Sequence, residues 1–416
     1  MAVSRGWSAW NPGFQLKMPI QPASGSVGPE IFDGVIEIAG KVTCFSDGMD
    51  SPLPYGIVMC QIGVDSYQSP DEGEAQMKVE RIGIDLAKQV FQVHGVDGHG
   101  KARIRKTLRR DEMANFFANL EPCLIGLEAC GSAHYWARVL RKFGHDVRLI
   151  APQFVAPYRK NEKNDSNDAE AICEAVGRPN MRFVAIKDPE QQSVLVVHRI
   201  RERVVGERTA LINQARGLLG EFGIIVPQGA DKLRKSLPDI LEDAENDLPD
   251  LGREMIAELR DQLADLDERI RRYDRRIRQL ANTMPEAKRL MAVEGVGPVI
   301  ATALIATIGD ARLFDNGRQF AAWLGLVPRQ YSTGGKQRYG RITKRGDVYL
   351  RTLLVHGSRA VLCRTKGKTD AKSQWAARLK ERRGFNKALV ALAAKQARIL
   401  WALLARDTDY APVEVA

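Results

Sequence analysis

The chain has 416 residues and a mass of 46.3 kDa, long enough for two or three domains with their own cores. Its 62 Lys and Arg against 51 Asp and Glu give a formal charge of +11, a balance that suits a nucleic-acid or other anionic partner. No apolar run approaches the ~20 residues of a membrane span. Six Cys without a Cys-x-x-Cys pair exclude a disulfide scaffold and a zinc ribbon, and favour a reducing cytoplasm.

The charge is unevenly distributed along the chain. Residues 1–76 hold 3 basic and 9 acidic residues, with 10 Gly, 7 Pro and no sustained hydrophobic period. We predict a disordered extension there, and because Met77 directly precedes the first strand, an over-extended start is preferred to a functional arm. Residues 329–406 hold 20 Lys and Arg against 3 Asp and Glu, so we expect this stretch to contact phosphate backbones rather than form an ordinary solvated face.

From Lys78 onward the hydrophobic pattern becomes regular. Short β-rich runs broken by glycine predict three antiparallel strands, and alternating helices and strands follow them. This order is typical of an α/β sandwich with a mixed sheet. The predicted elements are strands at 79–86, 90–96 and 102–107, a helix at 111–120, a strand at 123–128, a helix at 134–143 and a strand at 146–151.

Long helical patterns occupy the middle of the chain. Residues 193–222 predict an Arg-rich helix, and beyond Pro249 apolar residues recur at alternating spacings of 3 and 4 until Pro285. This seam consists of Ile256, Leu259, Leu263, Leu266, Ile270, Tyr273, Ile277 and Leu280. Its strict alternation favours a coiled-coil arm for dimerisation, although its partner could be the Arg-rich helix of the same chain. The region from 289 to 406 is predicted to be helical with a Gly-rich insertion.

Four carboxylates are the first candidates for chemistry. Asp85 and Glu128 each end an apolar strand, so they emerge side by side if those strands are neighbours. Asp165 and Asp168 open a helix and lie three residues apart, on one face. Such a cluster would require cations such as Mg²⁺, and two-metal sites of this kind cleave phosphodiesters. Alternatively, Asp165 is only a helix N-cap, and the two strand-end acids face solvent.

The second half offers a glycine turn, a serine and a basic segment. Gly295 and Gly297 lie between apolar helices, where a helix-hairpin-helix turn would offer backbone N–H groups to a phosphate. Judged from the local sequence alone, Ser332 is an ordinary serine in a turn, and Thr333 is an equally good candidate for a nucleophile. The basic side chains that would contact phosphate or cradle a developing charge are Lys336, Arg338, Arg341, Lys344 and Arg345.

At these positions the chain resembles a known family. The motifs Gly-Ile-Asp85-Leu-Ala-Lys, Gly-Leu-Glu128-Ala-Cys-Gly and Asn-Asp165-Ser-Asn-Asp168-Ala resemble the catalytic motifs of DEDD transposases. These belong to the insertion-sequence family named after element one-ten, which includes the Piv-type DNA invertases. The second half resembles that family's C-terminal transposase domain at residues 293–298, 320–328, 331–336, 341–347 and 350–357.

The resemblance implies both an architecture and an activity. It implies a RuvC-like (ribonuclease H) catalytic domain at 77–233, a coiled-coil arm at 234–286 and a mostly helical C-terminal transposase domain at 287–410. The four acids Asp85, Glu128, Asp165 and Asp168 would hold Mg²⁺, and Ser332 aligns with the family's nucleophilic serine. The implied partners are the element ends and target DNA, an element-encoded bridge RNA, and further copies of the chain in a homodimer or tetramer. The expected location is the cytoplasm, at the nucleoid.

Two other functions stay open at this point. A metal-dependent junction nuclease would use the four acids without the serine, and would leave hydrolysed DNA ends. A non-catalytic basic nucleic-acid-binding protein would stay bound to DNA without cleaving it. The presence of all four acids together with the serine weighs against an inactive remnant of an element.

Overall fold

The computed structural model describes residues 78–160 and 164–412, and the predicted extension at 1–76 lies outside the described residues. The N-terminal part of the described chain is a six-stranded sheet in the order β3-β2-β1-β4-β5-β6. Its strands are β1 (Arg81–Leu86), β2 (Val90–Val96), β3 (Ala102–Arg109), β4 (Leu124–Glu128), β5 (Asp146–Ile150) and β6 (Phe183–Val184). The helices of this part are α1 (Met113–Ala118), α2 (Ala133–Lys142), α3 (Pro152–Val155) and α4 (Asp165–Val176).

The sheet is mixed, as the strand pattern predicts. Strand β1 lies antiparallel to β2 and parallel to β4, and β4 lies parallel to β5. On one face, buried side chains such as Ile84 and Leu127 form a core with Phe117 of α1 and Trp136 of α2. Side chains alternate along a strand, so the residues between these apolar positions face the opposite side, where α4 packs. The two-residue strand β6, which pairs with β5, was not predicted.

Three helices, α5 (Pro189–Glu221), α6 (Ala230–Glu242) and α7 (Asp250–Thr283), follow the sheet and pack on one another. Helix α5 starts at a capping box, in which the Asp188 side chain accepts from the Gln191 N–H and the Gln191 side chain accepts from the Asp188 N–H. Buried Asp267 of α7 is bonded to Arg208 of α5 and to Arg234 of α6, at 3.3 Å and 2.5 Å. This one carboxylate therefore ties the three helices together.

The heptad seam of α7 faces helices of the same chain. Ile256, Leu263, Ile270 and Ile277 are buried, and the first two belong to a core shared with α5 and α6. The other four seam residues are half-buried. The preferred interpretation of the whole seam as a dimer contact is therefore wrong, and the alternative partner, the Arg-rich helix, is the one observed. An amphipathic helix shows the same 3-and-4 spacing whether its partner lies in its own chain or in another.

The C-terminal part is mostly helical, as expected, and also contains a two-stranded hairpin. Its helices are α8 (Pro285–Met291), α9 (Pro298–Ile308), α10 (Gly317–Trp323), α11 (Val348–Leu362), α12 (Ala371–Arg383) and α13 (Phe385–Arg406). The hairpin strands are β7 (Pro328–Thr333) and β8 (Lys336–Ile342). The predicted domain boundary at 233/234 falls within α6, and the boundary at 286/287 falls within α8.

Helix α13 corrects one expectation about the sequence. Among the described residues it is the one helix long and apolar enough to cross a membrane by length and composition, with a mean hydropathy of 1.5. Charged residues within α13, such as Lys395 and Arg398, interrupt its apolar sequence, so a search for an unbroken apolar run does not find this helix. Leu392, Ala393 and Leu400 on α13 are fully buried, and the helix packs on α10, α11 and α12, so it is a core helix of this fold.

Candidate catalytic site

The carboxylates of β1 and β4 lie at the same edge of the sheet. The two strands are parallel neighbours, with Gly83 opposite Gly126 and Ile84 opposite Leu127. Asp85 and Glu128 are the next residues of their strands, and both side chains are half-buried. The expectation that these acids emerge side by side is therefore confirmed.

Two glycines bring the third and fourth acids to this edge. Gly83 and Gly126 face α4, and a Cβ atom on Gly83 would lie only 2.2 Å from the carbonyl oxygen of Ala169. A Cβ on Gly126 would lie 2.8 Å from Cβ of Val176. The backbone of α4 therefore rests directly on β1 and β4, because neither strand has a side chain at the contact. This close approach places the first turn of α4, with Asp165 and Asp168, beside the strand ends.

The first turn of α4 also settles how its helix is capped. The Asn164 side chain accepts a hydrogen bond from the Asn167 backbone N–H at 2.7 Å, so Asn164 is the N-cap. The alternative interpretation of Asp165 as the cap is wrong. Both aspartates are free of that structural role, and Asp168 is 7% exposed.

The four acids act on one another electrostatically. Burial, as the largest cause, and the negative charges of Asp168, Asp165 and Glu128 together raise the pKa of Asp85 to about 6, while the Leu86 backbone N–H opposes the shift. A carboxyl group responds in this way only to charges close to it. Asp85 therefore lies within electrostatic reach of the other three acids.

An arginine partly neutralises this cluster. Arg159, in the segment before α4, is ion-paired through Nε with Asp168. Within residues 78–160 and 164–412, no three Asp, Glu, His or Cys side chains come close enough together to share an ion. The donor set itself fits a hard divalent cation, because every candidate ligand is a carboxylate oxygen in a cluster of unfavourable like charge. A bound ion would thus require the acids to draw together, with Arg159 released from Asp168.

Sequence reasoning missed three contributors to this site. The glycine pair was quoted only as part of the motifs, although each glycine stands two residues before a strand-end acid, which was a usable signal. Arg159 belongs to a basic pair with Lys160 just upstream of the acidic helix, and that charge pattern could have drawn attention to it. Cys130 lies next to the acids, and partial desolvation of its thiol, together with the charges of Glu128 and Asp85, raises its pKa.

Ser332 lies on the exposed hairpin rather than in a turn. It is in strand β7 opposite Gln337, and the turn itself is made by Gly334 and Gly335, both with positive φ. Every residue of β7 is exposed. The Ser332 hydroxyl accepts a hydrogen bond from Nε2 of Gln330 at 2.8 Å, and among the described residues it forms none with Asp85, Asp165 or Asp168.

The base of this hairpin is firmly held. Arg351, 9% exposed on α11, donates through one NH group to the carbonyl oxygens of Leu324 and Arg345, both at 3.0 Å. Gly325 and Gly346 have positive φ, and a Cβ on Gly346 would lie 1.8 Å from the Trp323 carbonyl oxygen. The two ends of the hairpin are therefore held against the helical core, whereas at its tip Gly334 and Gly335 have open space around them within the described part of the chain.

The predicted phosphate ligands of the C-terminal part fall into two groups. Lys336, Arg338 and Arg341 lie on β8, Lys344 and Arg345 follow it in the loop, and all five side chains are exposed. These five cations surround the hairpin that carries Ser332. Of the two turn glycines, Gly297 has open space around it, as a ligand-binding backbone would need.

Gly295 has a packing role instead. Its φ is +85°, and a Cβ there would lie 2.5 Å from Val361 and 2.7 Å from the Gly357 carbonyl oxygen. The Gln396 side chain also donates to the neighbouring carbonyl of Glu294 at 2.7 Å. The structure thus explains Gly295 by the close contact of this turn with α11 and α13, and its binding of a phosphate stays a prediction.

Comparison with known families and proteins gives a consistent result. Residues 287–375 match the family model described as Transposase IS116/IS110/IS902 family, and residues 82–224 match a model described as Transposase, that of the DEDD transposases of IS110. The second match contains the four acids and the first contains Ser332 and the five cations. The chain is also similar to whole transposases over most of its length.

Three relatives illustrate this similarity. A protein of Pseudomonas aeruginosa named "Probable family 20 transposase" is 56% identical over 337 residues, which cover 81% of this chain and 100% of the relative. The transposase for insertion sequence element IS1111A of Coxiella burnetii is 42% identical, covering 87% of this chain and 99% of its own length. The transposase for IS1328 of Yersinia enterocolitica is 38% identical, covering 80% and 98%.

Proposed function

Because the chain belongs to the IS116/IS110/IS902 family of transposases and is thus an enzyme that acts on DNA, we propose that it cleaves and rejoins DNA strands through Ser332, with the help of Asp85, Glu128, Asp165 and Asp168. The observation that carries this proposal is the meeting of the four acids. Two parallel strands and one helix bring them together, and the pKa of Asp85 responds to the charges of the other three.

The four carboxylates would hold a divalent cation, which we take to be Mg²⁺. When bound, such an ion supplies charge stabilisation to the oxygens of a phosphodiester as its bonds change. In its absence, Arg159 neutralises part of the cluster by pairing with Asp168. Binding of the ion would therefore require release of that arginine and a closer approach of the four carboxylates than the structure shows.

Ser332 would act as the nucleophile on the scissile phosphorus. Its oxygen already accepts a hydrogen bond from Gln330, which orients the hydroxyl without using its proton. On attack, the Ser332 Oγ–phosphorus bond forms, the bond from phosphorus to one DNA oxygen breaks with its electron pair on that oxygen, and the serine proton passes through water to the leaving oxygen, which becomes a DNA hydroxyl group. The cations of β8, Lys336, Arg338 and Arg341, would hold the phosphate and balance its growing charge.

The same proposal includes the partners and the domain division. We assign a RuvC-like catalytic domain to the sheet with its helices through α5, an arm to α6 and α7, and a transposase domain with a helix-hairpin-helix turn to the chain from α8 to α13, so that the predicted boundaries move from the interior of α6 and α8 to their first residues. Element ends and target DNA are the substrates, a bridge RNA supplies the target sequence by pairing, and a homodimer or tetramer is the acting form at the nucleoid. Support for nucleic-acid binding comes from the basic residues of the C-terminal part.

A covalent adduct tests the chemistry directly. The protein is incubated with element-end DNA, the flanking transcript and Mg²⁺, and then denatured to detect protein joined to DNA. The wild type is expected to form this adduct, and Ser332→Ala and Asp85→Asn are expected to lose it. Thr333→Val is the matched control for the serine, because Thr333 is the adjacent residue of β7 with a hydroxyl group.

The outcomes separate this function from its rivals. Free cleaved ends without an adduct, produced equally by the wild type and Ser332→Ala, would assign a metal-dependent nuclease and remove Ser332 from the site. Loss of the adduct in Thr333→Val with retention in Ser332→Ala would identify Thr333, instead of Ser332, as the nucleophile. DNA binding without cleavage in Mg²⁺ or Mn²⁺ would identify a binding protein.

A further inference from the structure

A cleft of about 370 Å³ lies between α10 and α13, on the C-terminal part of the chain. Three arginines line it, Arg318 from α10 and Arg398 and Arg406 from α13, and Trp401 contributes an aromatic wall. Positions 398, 401, 402 and 406 share one face of α13, because side chains three or four residues apart are neighbours on a helix. Arg318 approaches from the opposite wall.

Both walls of this cleft are fixed. A Cβ on Gly317 would lie 3.1 Å from Cα of Arg398, so the start of α10 touches the α13 backbone. The Asn316 side chain caps α10 by accepting from the backbone N–H groups of Arg318 and Gln319, each at 3.0 Å. The indole N–H of Trp401 donates to the Ala311 carbonyl oxygen at 3.0 Å, which holds the ring in place. The cleft is thus built before any ligand arrives.

The three arginines have no acidic partner. Within the described residues, no carboxylate lies at ion-pair distance from Arg318, Arg398 or Arg406, and the acids nearest in sequence are otherwise engaged. Asp407 pairs with Arg289, and Asp315 accepts a hydrogen bond from Gln319. Elsewhere in the chain, arginines such as Arg201 and Arg234 pair with aspartates of neighbouring helices. Three arginines without acidic partners in the described chain give this cleft a positive charge, which an anion with several charges would neutralise.

We propose that this cleft binds a single-stranded nucleic acid, with phosphodiester groups on the three arginines and a base against Trp401. A duplex presents its phosphates on a convex surface, whereas a concave cleft of this volume admits one strand with an unstacked base. Arginines hold phosphates in a fixed fork geometry, and aromatic side chains stack on bases of any sequence. This inference depends on the proposed function in one respect: it assumes that the anion available to the protein is a nucleic acid.

Binding measurements with a charge-removing variant test this cleft. Labelled single-stranded DNA, single-stranded RNA and duplex DNA of equal length are titrated with the protein in the Ser332→Ala background, without divalent ions, over a range of salt. The variant is Arg318→Gln, Arg398→Gln and Arg406→Gln combined. For a single strand, each lost phosphate contact reduces the slope of log K against log salt by ~0.7, so the slope should fall by about 2. Affinity at about 0.1 M salt should therefore fall about a hundredfold.

The matched control removes the same charge from paired arginines. Arg203, Arg271 and Arg275 are exposed and pair with glutamates on their own helices, so Arg203→Gln, Arg271→Gln and Arg275→Gln change the net charge equally. This control should keep the wild-type slope. The proposal is overturned if both triple variants lose affinity equally, if neither slope changes, or if only duplex binding weakens.

The DNA and RNA arms identify which strand uses the cleft, since the larger loss marks the bound species. Melting followed by circular dichroism shows that the variant is folded, and removal of exposed charges without ion-pair partners among the described residues should leave the melting temperature within a few degrees of the wild type. A failure here is distinguishable from failure of the proposed chemistry. The adduct depends on Ser332 and Asp85 and would still form on short DNA if the cleft bound nothing.

Discussion

The two groups of predicted catalytic residues have opposite surroundings. The acids stand at the edge of a sheet on which α4 lies in backbone contact, with no space for even a methyl group at Gly83. Ser332 stands on a hairpin whose strand β7 is exposed throughout and whose base is held by Arg351 and by close backbone contacts at Gly325 and Gly346. The core therefore positions the acids, whereas a local clamp positions the serine. Substitutions that disturb the packing around the acids should therefore reduce global stability, whereas substitutions at the base of the hairpin should reduce only local order.

The largest expected effect tests the packed side of this comparison. Gly83→Ala places a methyl group 2.2 Å from backbone atoms of α4, which must move away from β1 and take Asp165 and Asp168 with it. We expect the free energy of unfolding to fall by about 3 kcal/mol, measured by urea denaturation. Gly217→Ala in α5 is the control, because its site is open and helical, and the same substitution should stabilise by about 1 kcal/mol. Equal effects at both positions would show that α4 does not rest on the strand.

The second effect tests the contact between α5 and the C-terminal helices, which connects the region of the acids with the region of the hairpin. Buried His198 of α5 bonds to Tyr349 of α11 at 3.0 Å and to Thr302 of α9 at 2.9 Å. The Thr302 hydroxyl donates its proton to the Pro298 carbonyl, so it accepts from Nε2–H of His198, and Nδ1 accepts from Tyr349. The histidine is neutral in this arrangement, and burial, with the charges of Arg201 and Arg199, lowers its pKa to about 4.

A lowered histidine pKa has a definite consequence for stability against pH. In the unfolded chain the histidine is protonated below pH 6.5, its ordinary pKa, whereas in the native state it stays neutral down to about pH 4. The stabilising contribution of the neutral histidine is therefore complete above pH 6.5 and is lost as the pH falls from 6.5 to about 4. The loss reaches about 3 kcal/mol. His198→Gln keeps two hydrogen bonds and should lose this part of the pH dependence, as measured by unfolding at pH values across the range. Parallel curves for the two proteins would contradict the assignment.

The third effect tests the clamped side. Arg351→Gln removes two charge-assisted hydrogen bonds to the carbonyls of Leu324 and Arg345, and local opening of the hairpin base should become about 2 kcal/mol easier. Hydrogen exchange at the amides of Thr343 and Lys344, which bond to Val327 and Gly325, should speed up about 30-fold.

The control for the clamp lies on the same helix. Arg359→Gln removes an exposed arginine of α11 and should leave these two amides unchanged. If both variants exchange alike, the hairpin is held by its glycine turns rather than by Arg351. A global loss of stability with unchanged local exchange would place Arg351 in the core instead of the clamp.

Sequence reasoning found the residues on both sides but not the way they are held. The strand order and the meeting of Asp85 with Glu128 were predictable, because hydrophobic period and chain order limit a mixed sheet to few arrangements. Gly83 and Gly126 were not recognised as a packing pair, since they lie 43 positions apart and the register of their strands is set by tertiary contacts. The hairpin was read as a glycine-rich insertion, because exposed strands lack the alternation of buried and polar residues that marks a strand.

The heptad seam shows the same limit on the helical side. Its spacing correctly predicts an apolar face on α7, but the buried Asp267, with Arg208 and Arg234, is the group that fixes α5 and α6 as its partners. Charged pairs of this kind select one helix among several possible ones, and they involve residues 33 and 59 positions apart. Whether α7 packs on helices of its own chain or on another copy therefore depends on long-range contacts, which the hydrophobic period of the sequence does not predict.

The smallest expected effect concerns the charge balance of the acids. Arg159 pairs with Asp168 and competes with any cation for that carboxylate, so Arg159→Gln should make the site bind Mg²⁺ more tightly. A partly exposed ion pair is worth up to about 1 kcal/mol, which corresponds to a shift of about fivefold in the Mg²⁺ concentration that half-saturates the rise in melting temperature. Lys160→Gln is the matched control, because the adjacent Lys160 pairs with Glu170 instead of one of the four acids. An unchanged midpoint in Arg159→Gln would mean that Asp168 keeps its arginine when the ion binds, and the acids would then have to hold the cation through the other three carboxylates.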